Sequence, residues 1–219
     1  MPDPADPDDL ASLGFTVDQL RFLLSLLPGA AADHSARVLQ VDPVPPAQEA
    51  LSAGGAELLA RGDLELSEDG SVQPSGEVAA VVYALTRARA WHTVTGATET
   101  GVDSAVFVQS DGIGVLAQPR ALGTWWFLLI EPSAPADEVV GDLADGYLAL
   151  SETSAIEVVS SAGGPEVVFT AQRAEGGWGY ASGARDAERP EVEAPVATER
   201  ETRDALRAWV RRIGETGEA

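Results

Sequence analysis

"VDSAVFVQSDGIGVLAQPRALGTWWFLLIE", residues 102–131, reads as three β-strands in succession. They fall at 102–109, 113–118 and 124–131 and are rich in Val, Phe, Leu and Trp, residues that suit a pleated, half-buried surface. Asp111-Gly112 is a tight hairpin turn, and a loop containing Pro119 and Gly123 makes the second reversal. Turns this short join antiparallel strands. The last strand is apolar on both faces, with Trp126, Leu128 and Ile130 on one and Trp125, Phe127 and Leu129 on the other. Such a strand is covered on both sides, or covered on one and used as an interface on the other.

Downstream, Ser133 opens a helix with Val139, Val140, Leu143, Tyr147 and Leu148 on its apolar side. Three more strands follow at 155–161, 166–172 and 178–182, separated by Gly-rich turns. A second helix runs from Glu199 to Ile213, with Thr198 and Glu201 as its capping box and Leu206, Trp209, Val210 and Ile213 as its stripe. Three strands and a helix, twice over, predict a quasi-symmetric pair of units. The charged, Pro-punctuated segment 183–197 reads as a long loop.

Upstream, residues 1–14 read as a disordered tail. Thr16 and Gln19 form a capping box, Phe15 and Leu20 a hydrophobic staple, and Pro28-Gly29 ends that helix. The region around His34 reads as a linker and 36–42 as a short strand. A helix over 46–62 is weakened by Gly54-Gly55 and capped by Gly62. In "LLARGDLELSEDGSVQPSGEVAAVVYAL", residues 58–85, a helix end leads into a hairpin turning at Asp69-Gly70. A helix capped by Ser75 and running to about Trp91 follows, which completes the silhouette of a winged helix. The expected fold class is α+β. A helical part over 15–95 precedes a mainly antiparallel sheet with two helices over 96–219, and the two can form one domain.

Charge narrows the function. Asp and Glu number 35 against 14 basic residues, all of them Arg, for a net charge of −21. Nucleic acid is bound by clustered cations that displace counterions, and a field of this sign repels it, as it repels anionic membrane surfaces. Within residues 58–85, the hairpin that turns at Asp69-Gly70 carries Asp63, Glu65, Glu68 and Asp69 and no cation, so the winged-helix silhouette lacks a DNA-reading wing. The chain has no Cys, which removes disulfides, thiol catalysis and zinc-thiolate sites. The acidic start is no secretory signal, and "WWFLLI" and "AAVVYAL" fall far short of the ~20 apolar residues that span a bilayer. These features point to the cytoplasm.

Reactive constellations are missing. His34 and His92 have no second His at ligand spacing, no nucleophile elbow is present, and a P-loop needs a Lys that the chain lacks. Gly-rich "SDGIG" and "AEGGWG" join strand to strand, not strand to helix as a phosphate cradle requires. No catalytic, cofactor or metal residue is assigned. Aromatics remain: Trp178 and Tyr180 lie among small neighbours in "GGWGYASG", and with Trp125 they are the candidate contacts to a protein partner. Two alternatives to a protein-binding module stay open, a winged-helix-like regulator and a carboxylate- and metal-dependent enzyme.

Two stretches carry a family resemblance. "LLARGDLELSEDGSVQPSGEVAAVVYALTRAR" (58–89) and "DGIGVLAQPRALGTWWFLLIEPSAPADEVVGDLADGYL" (111–148) resemble, in spacing and hydrophobic pattern, the EspG-type chaperones of ESX (type VII) secretion in actinobacteria. The likeness covers residues 15–150 and includes no catalytic motif. It implies a quasi-symmetric α+β fold and a non-enzymatic cytosolic chaperone or adaptor. The partner it implies is a small helical secreted protein of PE-PPE type, with no cofactor.

Overall fold

The computed structural model describes residues 13–41, 48–99, 101–131, 133–150, 155–185 and 191–216. Most of the expected tail therefore lies outside the described residues, while Leu13 and Gly14 belong to a strand. The helical part comprises β1 (Leu13–Thr16), α1 (Val17–Leu26), α2 (Ala30–Val38), α3 (Gln48–Arg61), the hairpin β2 (Leu64–Leu66) and β3 (Val72–Pro74), and α4 (Gly76–Thr86). The first sheet unit is β4 (Ala88–Thr98), β5 (Gly101–Ser110), β6 (Gly114–Arg120), β7 (Thr124–Ile130) and α5 (Ala136–Leu148). The second is β8 (Ala155–Ser161), β9 (Val167–Ala174), β10 (Gly177–Ala184), β11 (Glu191–Ala197) and α6 (Glu199–Thr216).

The protein is α+β, as its sequence predicts, but each unit has four strands and a helix. Nine strands form one antiparallel sheet in the order β1-β7-β6-β5-β4-β8-β9-β10-β11. The two units meet at its centre, where β4 pairs with β8 from Trp91↔Ser161 to Ala97↔Ala155. Four sequence readings are corrected. The helix expected to reach Trp91 ends at Thr86, and β4 takes over at Ala88, so the expected boundary after residue 95 falls inside that strand. The expected loop at 183–197 contains the edge strand β11. The expected linker and short strand around His34 are helix α2. Ser75 stands at the N-cap of α4 but donates its hydroxyl to Gly62 O instead of capping (2.9 Å).

Other local readings hold. Gln19 donates its N–H to Thr16 Oγ1, and Thr16 donates its own to Gln19 Oε1. Glu201 and Thr198 do the same at the start of α6. Gly62 takes a left-handed φ of 82° at the end of α3, as a helix-ending glycine does. The pair Gly54-Gly55 has a use that local propensity hides. A Cβ on Gly54 would stand 2.9 Å from Asp18 O, and one on Gly55 2.6 Å from the Phe22 ring. The glycines let α1 and α3 cross at backbone contact.

Two cores form, one on each face of the sheet. Helices α1–α4 cover β1, β7, β6 and β5, enclosing Phe15, Val81, Leu85, Val106, Val115 and Phe127. On the other face α5 and α6 bury Val94, Phe107, Val158, Phe169, Trp178 and Trp209. Full burial of a side chain of this size contributes about 1.5–3 kcal/mol. The two helices are zipped by arginines one turn apart: Arg203 pairs with Asp145 (2.8 Å), Arg207 with Asp142 (3.0 Å) and Arg211 with Asp137 (2.5 Å). That order makes α6 antiparallel to α5. Helix α5 sits down on the sheet at Gly96, where a Cβ would lie 2.4 Å from Tyr147 Cγ. Replacing Gly96 by Ala drives the helix off its seat and is expected to cost about 1–3 kcal/mol. Gly179→Ala, which meets nothing within 4 Å, should change stability by no more than about 0.5 kcal/mol. Urea denaturation of the two variants checks the contrast.

Candidate functional site

Two parts of the sheet lie beyond the helices, one on each face. The first, on the face of α1–α4, is a groove of about 360 Å³ beside α2, floored by Thr93, Thr95, Ser104, Val159 and Ser161. Arg37, Arg185, Glu157 and Glu166 also line it, so its formal charges cancel. Arg185 is ion-paired to Glu166.

The groove holds the arrangement closest to catalytic geometry. Ser161 Oγ lies 2.8 Å from His34 Nε2, and both residues are buried. The polarity is wrong for a nucleophile and base. Arg37 Nη2 lies 3.0 Å from His34 Nδ1, and a guanidinium only donates, so Nδ1 must accept. The ring proton is then on Nε2, where it donates to Ser161 and cannot take the serine's proton. Burial, and then the charge of Arg37, lower the His34 pKa. Beside it, Trp91 Nε1 donates to Ser35 Oγ (2.9 Å), and Ser35 donates to Leu85 O (2.7 Å). The constellation fastens α2 to the central strands. His92 does similar work on the other face: its Nδ1 lies 2.8 Å from Ser160 Oγ and its ring stacks near Phe107. Among the described residues, no group of three or more His, Asp or Glu could hold a metal ion.

The second uncovered part, on the face of α5 and α6, is apolar. Helix α6 reaches over β8, β9 and β10, whereas α5 packs on β4, β5 and β8. Beyond α5, Leu116, Leu128 and Ile130 are half-buried and Trp126 is 47% exposed. Arg120 lies over the Trp126 ring at 4.7 Å. At the tip of the β6–β7 hairpin Leu122 is fully exposed, 100%, at φ 63° and ψ 27°. A leucine in this left-handed region costs about 1–2 kcal/mol, and Gly or Asn is the usual occupant.

The expected partner contacts sit elsewhere. Trp178 is 3% exposed, under α6 with Arg173 stacked at 5.2 Å, because the helix fills the space its small neighbours leave. Tyr180 is half-buried and stacks on Phe169. Trp125 is 7% exposed in the core beneath α1–α4. Trp126, on the opposite face of the strand from Trp125, is the tryptophan that reaches solvent. Strand alternation puts the two on opposite faces, but which face stays open depends on where α5 docks.

No family model and no curated protein matches the chain. A solved structure does: the Mycobacterium tuberculosis type VII secretion system chaperone EspG5, in complex with a PE25-PPE41 dimer. The match covers 94% of this chain and 96% of that one, with a TM-score of 0.55 at 10% sequence identity. The chain has an EspG-like fold. The resemblance seen in the sequence over 15–150 thus extends in structure across both units. No helix among the described residues is long and apolar enough to cross a membrane.

Burial holds the His92 pKa down at about 4, against 6.5 for a free side chain. Its share of stability is complete above pH 6.5 and is lost as pH falls toward about 4, because the unfolded chain takes up a proton that the folded chain refuses. His34, also lowered, acts with the same sign. His92→Asn keeps a polar contact to Ser160 and removes the titration. Its urea midpoint should fall less than that of the wild type between pH 6.5 and about 5, and pH-dependent denaturation checks this.

Proposed function

We propose that this chain is a non-enzymatic, cytosolic protein-binding chaperone or adaptor for a helical heterodimer of PE-PPE type, held soluble before export. The observation that carries this reading is the EspG-like fold over 94% of the chain, since EspG5 itself was solved in complex with a PE25-PPE41 dimer. Three features agree with it. The net charge of −21 disfavours nucleic acid. The His34–Ser161 pair has the wrong polarity for nucleophilic catalysis. An apolar part of the sheet stands open beside α5, the kind of surface that marks a protein partner.

Co-expression tests the reading. A PE-PPE-type heterodimer from the same genome should gain soluble yield in the presence of this chain and elute with it as one complex in size-exclusion chromatography. A heterodimer equally soluble without the chain, and eluting apart from it, contradicts the proposal.

A further inference from the structure

We infer that the tip of the β6–β7 hairpin, Leu122 with the stacked pair Arg120 and Trp126, is the anchor that enters the partner. The partner surface it fits is an apolar hollow between two packed helices with a carboxylate on its rim. This rests on the chaperone reading and names the surface that serves it.

Three observations meet at this tip. The first is that Leu122 is exposed in full while held in a left-handed conformation that its branched side chain disfavours. Folding gains no packing from it, and the turn would form more easily with Gly or Asn. A residue that burdens the free protein and buries nothing is explained by what it does in a complex. The second is composition: Trp126 and Arg120 are of the residue types that dominate the centres of protein interfaces, and their stacking holds both rigid before binding. Half-buried Leu116 and Leu128 continue the apolar surface behind them.

The third is charge. The sequence has 35 acidic residues against 14 basic ones, and most described arginines pair with carboxylates. Arg120 has no carboxylate within ion-pair distance among the described residues and lies on a tryptophan instead. An accessible guanidinium on an apolar ridge in an acidic protein complements a carboxylate beside an apolar hollow. A knob standing clear of its own surface is received by the hole that four side chains of packed helices make. A flat sheet edge has no such hole.

The test uses the full chain and a purified PE-PPE-type heterodimer from the same genome. The other four tryptophans are buried, so the exposed part of the emission comes from Trp126. Binding should shift it to the blue, and Trp126→Phe should abolish the shift. Leu122→Asn, which suits the left-handed turn, should leave the melting temperature equal or higher while weakening binding at least about tenfold. Arg120→Glu should weaken it to a similar degree. If the wild type binds but Leu122→Asn loses less than tenfold, or the Trp126 emission does not move, the anchor is overturned and the chaperone reading stands. If the wild type binds no such heterodimer, the chaperone reading falls and takes the anchor with it.

Discussion

The antiparallel pairing of β4 with β8 is the constraint on which the rest of the structure hangs. It joins two four-strand units, with β1 added at one edge, into one nine-stranded sheet and leaves neither unit with an unpaired strand at the centre. Both faces of the seam are used. Trp91 and Ser161 look toward α2, where His34 and Ser35 meet them with hydrogen bonds. His92 and Ser160 look the other way, into the core beneath α5 and α6. Those two helices span the seam and are clamped by Arg203, Arg207 and Arg211 against aspartates of α5. A seam satisfied on both faces is rigid, and a rigid sheet can hold an exposed hairpin in a fixed place.

Quasi-symmetry explains why part of the sheet stays open. The two units have the same order of elements, but their surroundings differ. Helices α1–α4 cover only the first unit's side of one face, and the groove beside α2 lies where that cover ends. On the other face α6 reaches β10 and buries Trp178, while α5 packs mainly on β4, β5 and β8 and leaves Leu128 half-buried and Trp126 exposed on β7. The groove is polar and its charges are balanced within the chain. The surface beyond α5 is apolar and carries an arginine with no carboxylate at ion-pair distance among the described residues. The two therefore differ in what they can attract.

Much of this was legible in the sequence because it is local. The strands of 102–131 declared themselves by alternation and by turns at Asp111-Gly112 and Gly123. The capping boxes at Thr16 and Thr198 were visible because three-residue spacing is all that they need. The missed elements are those whose identity is tertiary. β4 begins "ARAW", continuous with the helix-forming residues of α4, and only its central place in the sheet makes it a strand. β11, "EVEAPVA", has the charge and proline that an edge strand tolerates and a central strand does not. The glycines of α3 looked like weakness until α1 was laid across them. The placement of the candidate contacts was hidden for the same reason. Small neighbours around Trp178 implied exposure, but α6 occupies that space, and nothing in the sequence tells Trp125 from Trp126 until the helices are docked.

Hydrogen exchange followed residue by residue is the most direct test of the seam. The amides of Val94 and Val158, paired across it, should exchange only through global unfolding, more slowly than those of the edge strands β1 and β11. If Val158 and the rest of β8–β10 and α6 open together at a lower free energy while β4–β7 stays protected, the two units are held independently. The single continuous sheet would then be contradicted.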